Sequence, residues 1–146
     1  MRIVVDTNIV FSAVLNSTSK IANIILQPKS KLNFYATSKI RNELAEHWTK
    51  LKQISKLSET DLHSTSGLIF SKISFINVQL IPKSILLKAQ ALTETIDIDD
   101  TEFVALTEHI RGKLWSGDKK LIRGLKQAGW NKIISTEDIY KISRQK

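Results

Sequence analysis

The stretch Thr95–Leu121, TIDIDDTEFVALTEHIRGKLWSGDKKL, decides how the chain is read. Three carboxylates open it: Asp97, Asp99 and Asp100. An apolar segment at helical spacing follows, with Phe103, Leu106 and Ile110 on one face and Val104 and Ala105 beside it. Arg111-Gly112-Lys113 ends that helix. A short apolar strand, Leu114-Trp115-Ser116, then delivers a further acid, Asp118, just past its end. A helix handing over to a short apolar strand is the pattern of an open parallel α/β sheet. In such a sheet, sites form outside the carboxyl ends of the strands. Acids at a helix start and at the next strand exit can therefore be neighbours in space.

The pattern extends outward in both directions. Arg2–Val5 (RIVV) reads as a strand buried on both faces, and it turns polar abruptly at Asp6-Thr7-Asn8 before an apolar helical segment, Ile9–Leu15. All three polar residues are helix-capping types, but only one cap is needed. An acid at the exit of a buried strand therefore reads as a site residue. Ile21–Leu26 reads as a short helix stopped at Pro28, and Lys31–Thr37 as a second strand. Ser38 is the expected N-cap of a helix over Lys39–Leu51 with the core stripe Ile40, Leu44, Trp48 and Leu51. Glu43 borders that stripe. Glu46 is expected to pair with Lys50 on the surface, and His47 is assigned no chemistry.

Lys50–Ser58 reads as a polar connection and Thr60–Ile73 as a helix weakened by Gly67. Phe75–Ile81 reads as a third strand closed by Pro82, and Ile85–Leu92 as a helix. Beyond Asp118 come a basic helix over Lys119–Ala128 ended by Gly129, a last strand over Trp130–Ser135 and a closing helix from Thr136. Strands alternate with helices throughout, which predicts an α/β domain, residues 1–146, with a mainly parallel sheet.

Composition narrows the chemistry. The chain has 146 residues and no cysteine, which excludes disulfides, thiolate zinc sites and a cysteine nucleophile. No apolar run has the length of a membrane span, and MRIVVDTN lacks the apolar core of a signal peptide, so the expectation is a cytoplasmic protein. Against 14 acids stand 22 Lys and Arg, a formal charge of +8. A basic protein is drawn to polyanions, nucleic acid above all. Acids gathered at strand exits within a basic chain are reconciled by a divalent cation bound among them.

Magnesium and manganese take oxygen ligands, usually one or two carboxylates plus water and substrate phosphate. One or two such ions can activate a water and stabilise the leaving oxygen of a phosphodiester. Without the ion, close acids repel one another and favour their protonated forms. Within the acidic stretch, Asp99 and Glu102 have the spacing of a capping box. Asp100, three before the buried Phe103, leans toward the sheet. The expectation is Asp100 as ligand, Asp99 as cap, and Asp97 as a further or supporting ligand.

Four segments resemble the PIN-domain nucleases: VVDTNIV at Val4–Val10, KIRNELAE at Lys39–Glu46, DIDDTEFVAL at Asp97–Leu106 and LWSGDKKL at Leu114–Leu121. The resemblance covers essentially the whole chain and implies a three-layer α/β/α fold related to the 5′-nucleases. It places the metal-binding acids on Asp6, Glu43, Asp100 and Asp118, with Asn8 and Ser116 as supporting polar residues. It implies magnesium- or manganese-dependent cleavage of RNA. Many relatives are toxins of bacterial or archaeal toxin–antitoxin pairs, commonly homodimers inhibited by a small antitoxin, and the DIDD and LWSGDKKL segments look most like that branch. The competing reading is a non-catalytic RNA- or partner-binding module on the same fold. A lone-aspartate phosphatase or receiver needs one acid and not four, and the chain has no GxxxxGK loop for nucleoside triphosphates.

Overall fold

The β-branched run Arg2–Val5 becomes β1, the central strand of a five-stranded parallel sheet. The structure, a computed structural model, describes residues 1–28 and 31–145. The other strands are β2 (Asn33–Thr37), β3 (Ile73–Ile76), β4 (Lys113–Trp115) and β5 (Ile133–Ile134), in the order β3-β2-β1-β4-β5. Ile3, Val4 and Val5 are all 0% exposed although successive side chains point to opposite faces, so helices cover both sides of the sheet. The architecture is the expected three-layer α/β/α sandwich.

The helices are α1 (Thr7–Leu15), α2 (Lys20–Leu26), α3 (Lys39–Glu46), α4 (Trp48–Ser55), α5 (Glu59–Ser71), α6 (Lys83–Thr93), α7 (Thr101–Ile110), α8 (Lys119–Gln127) and α9 (Thr136–Ser143). α7 packs on β1, β2 and β4, carrying Phe103, Val104, Ala105 and Leu106 into the core. α1, α2 and α5 pack on one another, and α9 closes on α2. Among the described residues, no single helix is long and apolar enough to cross a membrane.

The order of the strands makes the site. The chain steps from β1 to β2 and β3 on one side, then returns to β4 and β5 on the other. Strand order thus reverses between β1 and β4, and a crevice opens there at their carboxyl ends. Val5 pairs with Trp115, so Asp6 and Ser116 leave the sheet side by side. The turn feeding β4 is tight. Arg111 takes the left-handed conformation at φ 56, and the next residue must be glycine: a Cβ on Gly112 would sit 2.6 Å from the Arg2 carbonyl oxygen.

Several boundaries differ from those expected. The helix placed over Lys39–Leu51 is two helices, α3 and α4, with a break at His47. Leu51 is still buried, but Trp48 is only partly so, and its indole N–H donates to Glu59 at 2.9 Å. A stripe of apolar residues looks the same for a straight helix as for two bent segments that both face the core. The polar connection at Lys50–Ser58 is largely α4. Ser38 holds the expected N-cap position of α3, but in helical conformation and with no capping hydrogen bond from its side chain. The strand expected at Phe75–Ile81 lies at Ile73–Ile76, because β2 ends at Thr37 and offers no partner past Ile76. Beyond it the Asn77 side chain accepts from the Gln79 N–H and starts a 3₁₀ turn over Val78–Leu80.

Candidate metal centre

Asp6 is the residue at which β1 stops and α1 starts, and it serves both. Its N–H donates to the Trp115 carbonyl at 3.3 Å, the last rung between β1 and β4. One carboxylate oxygen accepts from the Ile9 N–H at 2.9 Å and caps α1. The other accepts from the Ser116 hydroxyl. The capping reading of Asp6 is thus realised, and its second oxygen meets Ser116 at the wall of the cavity. Asp6 is only 3% exposed. Burial raises its pKa, with Asp118 adding to the rise and the hydrogen bonds from Ser116 and Ile9 opposing it.

Ser116 ties the two strand exits together. Its hydroxyl donates to Asp6 and accepts from the Asp118 N–H at 3.0 Å. Asp118 in turn caps α8, one oxygen accepting from the Leu121 N–H at 3.1 Å. Its other oxygen is left for the cavity.

The acidic stretch approaches from the opposite side. Asp97, not Asp99, is the capping residue there: its side chain accepts from the Asp99 N–H at 3.0 Å and opens a 3₁₀ turn over Ile98–Asp100. The capping box expected of Asp99 and Glu102 does not form. The 3₁₀ turn shifts the cap two residues earlier than a direct α-helical start would require. The turn is anchored where the Thr93 and Thr101 hydroxyls meet at 2.6 Å, and the Asp97 N–H donates to the Thr93 carbonyl at 2.8 Å.

Asp100 sits at the cap position of α7 but makes no capping bond, so its carboxylate points free into the cavity. Burial pushes its pKa up to about 7, helped by the charges of Asp97, Asp6 and Asp118 and opposed by Lys39.

Asp97, Asp100 and Asp118 each offer a carboxylate oxygen, and the three oxygens lie within 4.8 Å of one another. Asp6 and Glu43 line the same cavity of about 520 Å³ but lie outside that set of three. Glu43 sits on the α3 side, 3.9 Å from the Lys39 ammonium. Asn8 lines the cavity, is exposed and makes no side-chain hydrogen bond among the described residues. The sequence reading missed Lys39, Asn42, Glu46 and His47, which also line it. Glu46 does not pair with Lys50 as expected; it faces the cavity. Lys39, Asn42 and Glu46 share with Glu43 the i, i+3, i+4, i+7 face of α3, and His47 follows at the end of that helix. Lys39 had a signal, its position four residues before Glu43 on one helix face. Its ammonium also donates to the Asp99 carbonyl and joins α3 to the acidic turn.

The donor set fits a hard divalent cation. Every candidate ligand in the cluster of three is a carboxylate oxygen, and no sulfur or imidazole belongs to it. An acid whose pKa is raised to about 7 by burial and by neighbouring charges is a position that a cation would ionise.

The chain matches the family model of the PIN domain over residues 4–139. No curated protein matches it. The matched span includes every acid of the cavity, from Asp6 to Asp118, and the chain belongs to the PIN-domain family of nucleases.

Proposed function

We propose that the protein is a magnesium- or manganese-dependent endoribonuclease. The observation that carries this reading is the convergence of Asp97, Asp100 and Asp118 at the β1/β4 switch point of a chain with net charge +8. A bound cation would supply water activation and stabilisation of charge on the leaving oxygen. The protein's own residues do the rest. Asp97, Asp100 and Asp118 would hold the cation, with Asp6 and Glu43 as the further acids of the wall. Ser116 keeps Asp6 and Asp118 in fixed relation. Asn8, with a free side-chain amide beside the acids, would orient a phosphate oxygen or a water. The basic surface would retain the strand through its phosphates.

As in the toxin branch that its acidic segments resemble, the protein would act in the cytoplasm and be restrained by a small antitoxin. The test is incubation of a mixed cellular RNA pool with Mg²⁺ or Mn²⁺, beside EDTA and the Asp118→Asn protein. Cutting that needs the ion and is absent from the variant supports the nuclease. If no RNA is cut and calorimetry detects no metal binding, the protein is instead a binding module on a nuclease fold.

A further inference from the structure

A second concavity, a groove of about 480 Å³, lies between α6 and α8 and contains no acid. One wall is the end of α6 with Leu92, Thr95 and Ile96; the other is α8 with Lys120, Arg123 and Gly124. Both walls run directly into the metal centre. Ile96 is followed by Asp97, and Lys120 comes two residues after Asp118. The groove is therefore flanked by the two chain segments that supply the cluster of acids. Gly124 lets the walls close on each other: a Cβ there would meet Ile96 Cδ1 at 2.6 Å.

Charge separates the two concavities. The acidic cavity is lined by seven Asp and Glu and by Lys39 as its Lys or Arg, whereas among the described residues Lys120 and Arg123 are the only ionisable ones lining the groove. Both are exposed, and neither makes an ion pair or side-chain hydrogen bond among the described residues. On most surfaces such residues are merely solvated. Here two unpaired cations one helical turn apart overhang an apolar floor, next to a cavity that would take a phosphodiester. Phosphates suit the cations, and the flat faces of ribose and base suit Leu92 and Ile96.

We propose that the α6/α8 groove is the track for single-stranded RNA on one side of the cut, with Lys120 and Arg123 each holding a backbone phosphate. This rests on the nuclease reading for the position of the cut, but strand binding is measured without cleavage. The probe is a fluorescent single-stranded oligoribonucleotide with Ca²⁺ in place of Mg²⁺, its affinity followed by anisotropy across a salt series. In the double variant Lys120→Ala/Arg123→Ala, two lost phosphate contacts lower the slope of log K against log salt by about 1.4 and weaken binding about 25-fold at ~0.1 M salt. The double variant Lys126→Ala/Lys141→Ala removes the same charge from exposed positions outside the groove and serves as the control.

A loss confined to the groove variant, with KM for a long RNA raised and kcat unchanged, supports the track. Equal losses in both variants mean diffuse attraction and overturn it, as does failure of the unaltered protein to bind the oligonucleotide. Hydrolysis of bis(p-nitrophenyl) phosphate, too small to reach the groove, judges the nuclease separately. If that activity persists while groove variants bind RNA normally, the track falls and the nuclease stands.

Discussion

The two walls of the acidic cavity are built in opposite ways. On the β1/β4 side, Asp6, Ser116 and Asp118 are locked into one network in which each acid accepts a backbone N–H and the serine hydroxyl joins them. That wall is complete as soon as two neighbouring strands pair and two helices start. On the other side, the turn over Ile98–Asp100 presents Asp100 with no hydrogen bond to its carboxylate. It is steadied by the Thr93–Thr101 contact and by Lys39. A carboxylate that is half-buried, unbonded and close to three other acids is destabilised as an anion, and its pKa of about 7 registers this. The fold organises the first wall by itself; the second carries a charge that its own hydrogen bonds do not offset, one that a bound cation would take up.

The strongest test of this contrast is loss of a ligand from each wall. Asp100→Asn and Asp118→Asn should each lower turnover by about 10³-fold, the rate equivalent of roughly 4 kcal/mol. Neither should unfold the protein, since Asn caps a helix about as well as Asp and Asp100 caps nothing. Single-turnover cleavage and circular dichroism check both halves. The metal-free Asp100→Asn protein should melt above its parent at neutral pH, because it removes a buried charge; a lower melting temperature would mean that Asp100 is not strained.

Ser116→Ala attacks the preformed wall without touching a ligand of the cluster. It frees Asp6 and Asp118 from each other and should weaken metal binding by about 10–100-fold. Isothermal titration with Mn²⁺ measures this. An unchanged affinity would make the bridge irrelevant to the ion.

A pH series sharpens the contrast further. The pKa of Asp100 in the folded chain is raised above the unfolded value of 3.8 to about 7. Between these limits the folded state holds a proton that the unfolded state has lost. The stability of the metal-free protein therefore falls as pH rises through this window, and no further cost from this group accrues above it. The cation needs the ionised form, so metal affinity should drop about tenfold per pH unit below ~7. Thermal unfolding in EDTA and Mn²⁺ titrations read the two opposite slopes, and Asp100→Asn should flatten both.

The smallest expected effect is at Glu43. It lines the cavity beside Lys39 but outside the cluster of three. Glu43→Gln should therefore cost turnover less than roughly tenfold, a carboxylate acting from a distance and not as a ligand. A loss as large as that of Asp100→Asn would mean that α3 closes onto the ion, and would move Glu43 into the ligand set.

Much of this was legible in the residues. The alternation of apolar runs revealed five strands and a parallel α/β sheet because burial on both faces demands continuous β-branched or aromatic stretches. Asp6, Asp100 and Asp118 stood out because acids at strand exits and helix starts are otherwise hard to account for. Elements with weak patterns were misplaced. The break at His47, the 3₁₀ turn that makes Asp97 the cap, and the early end of β3 each depend on what packs opposite.

By itself, then, the sequence determined the α/β class with its parallel sheet, the edge of the sheet at which acids gather, and the exclusion of thiolate chemistry from a chain without cysteine. These follow from local periodicity and residue type. Tertiary structure alone decided which acids lie close enough to share an ion, that Ser116 meets Asp6 across 110 residues of chain, and that Lys120 and Arg123 overhang a groove beside the site. The reason is physical. Hydrophobic pattern encodes which face of an element is buried, whereas distances between remote side chains are fixed by strand register and by the angles at which helices leave the sheet.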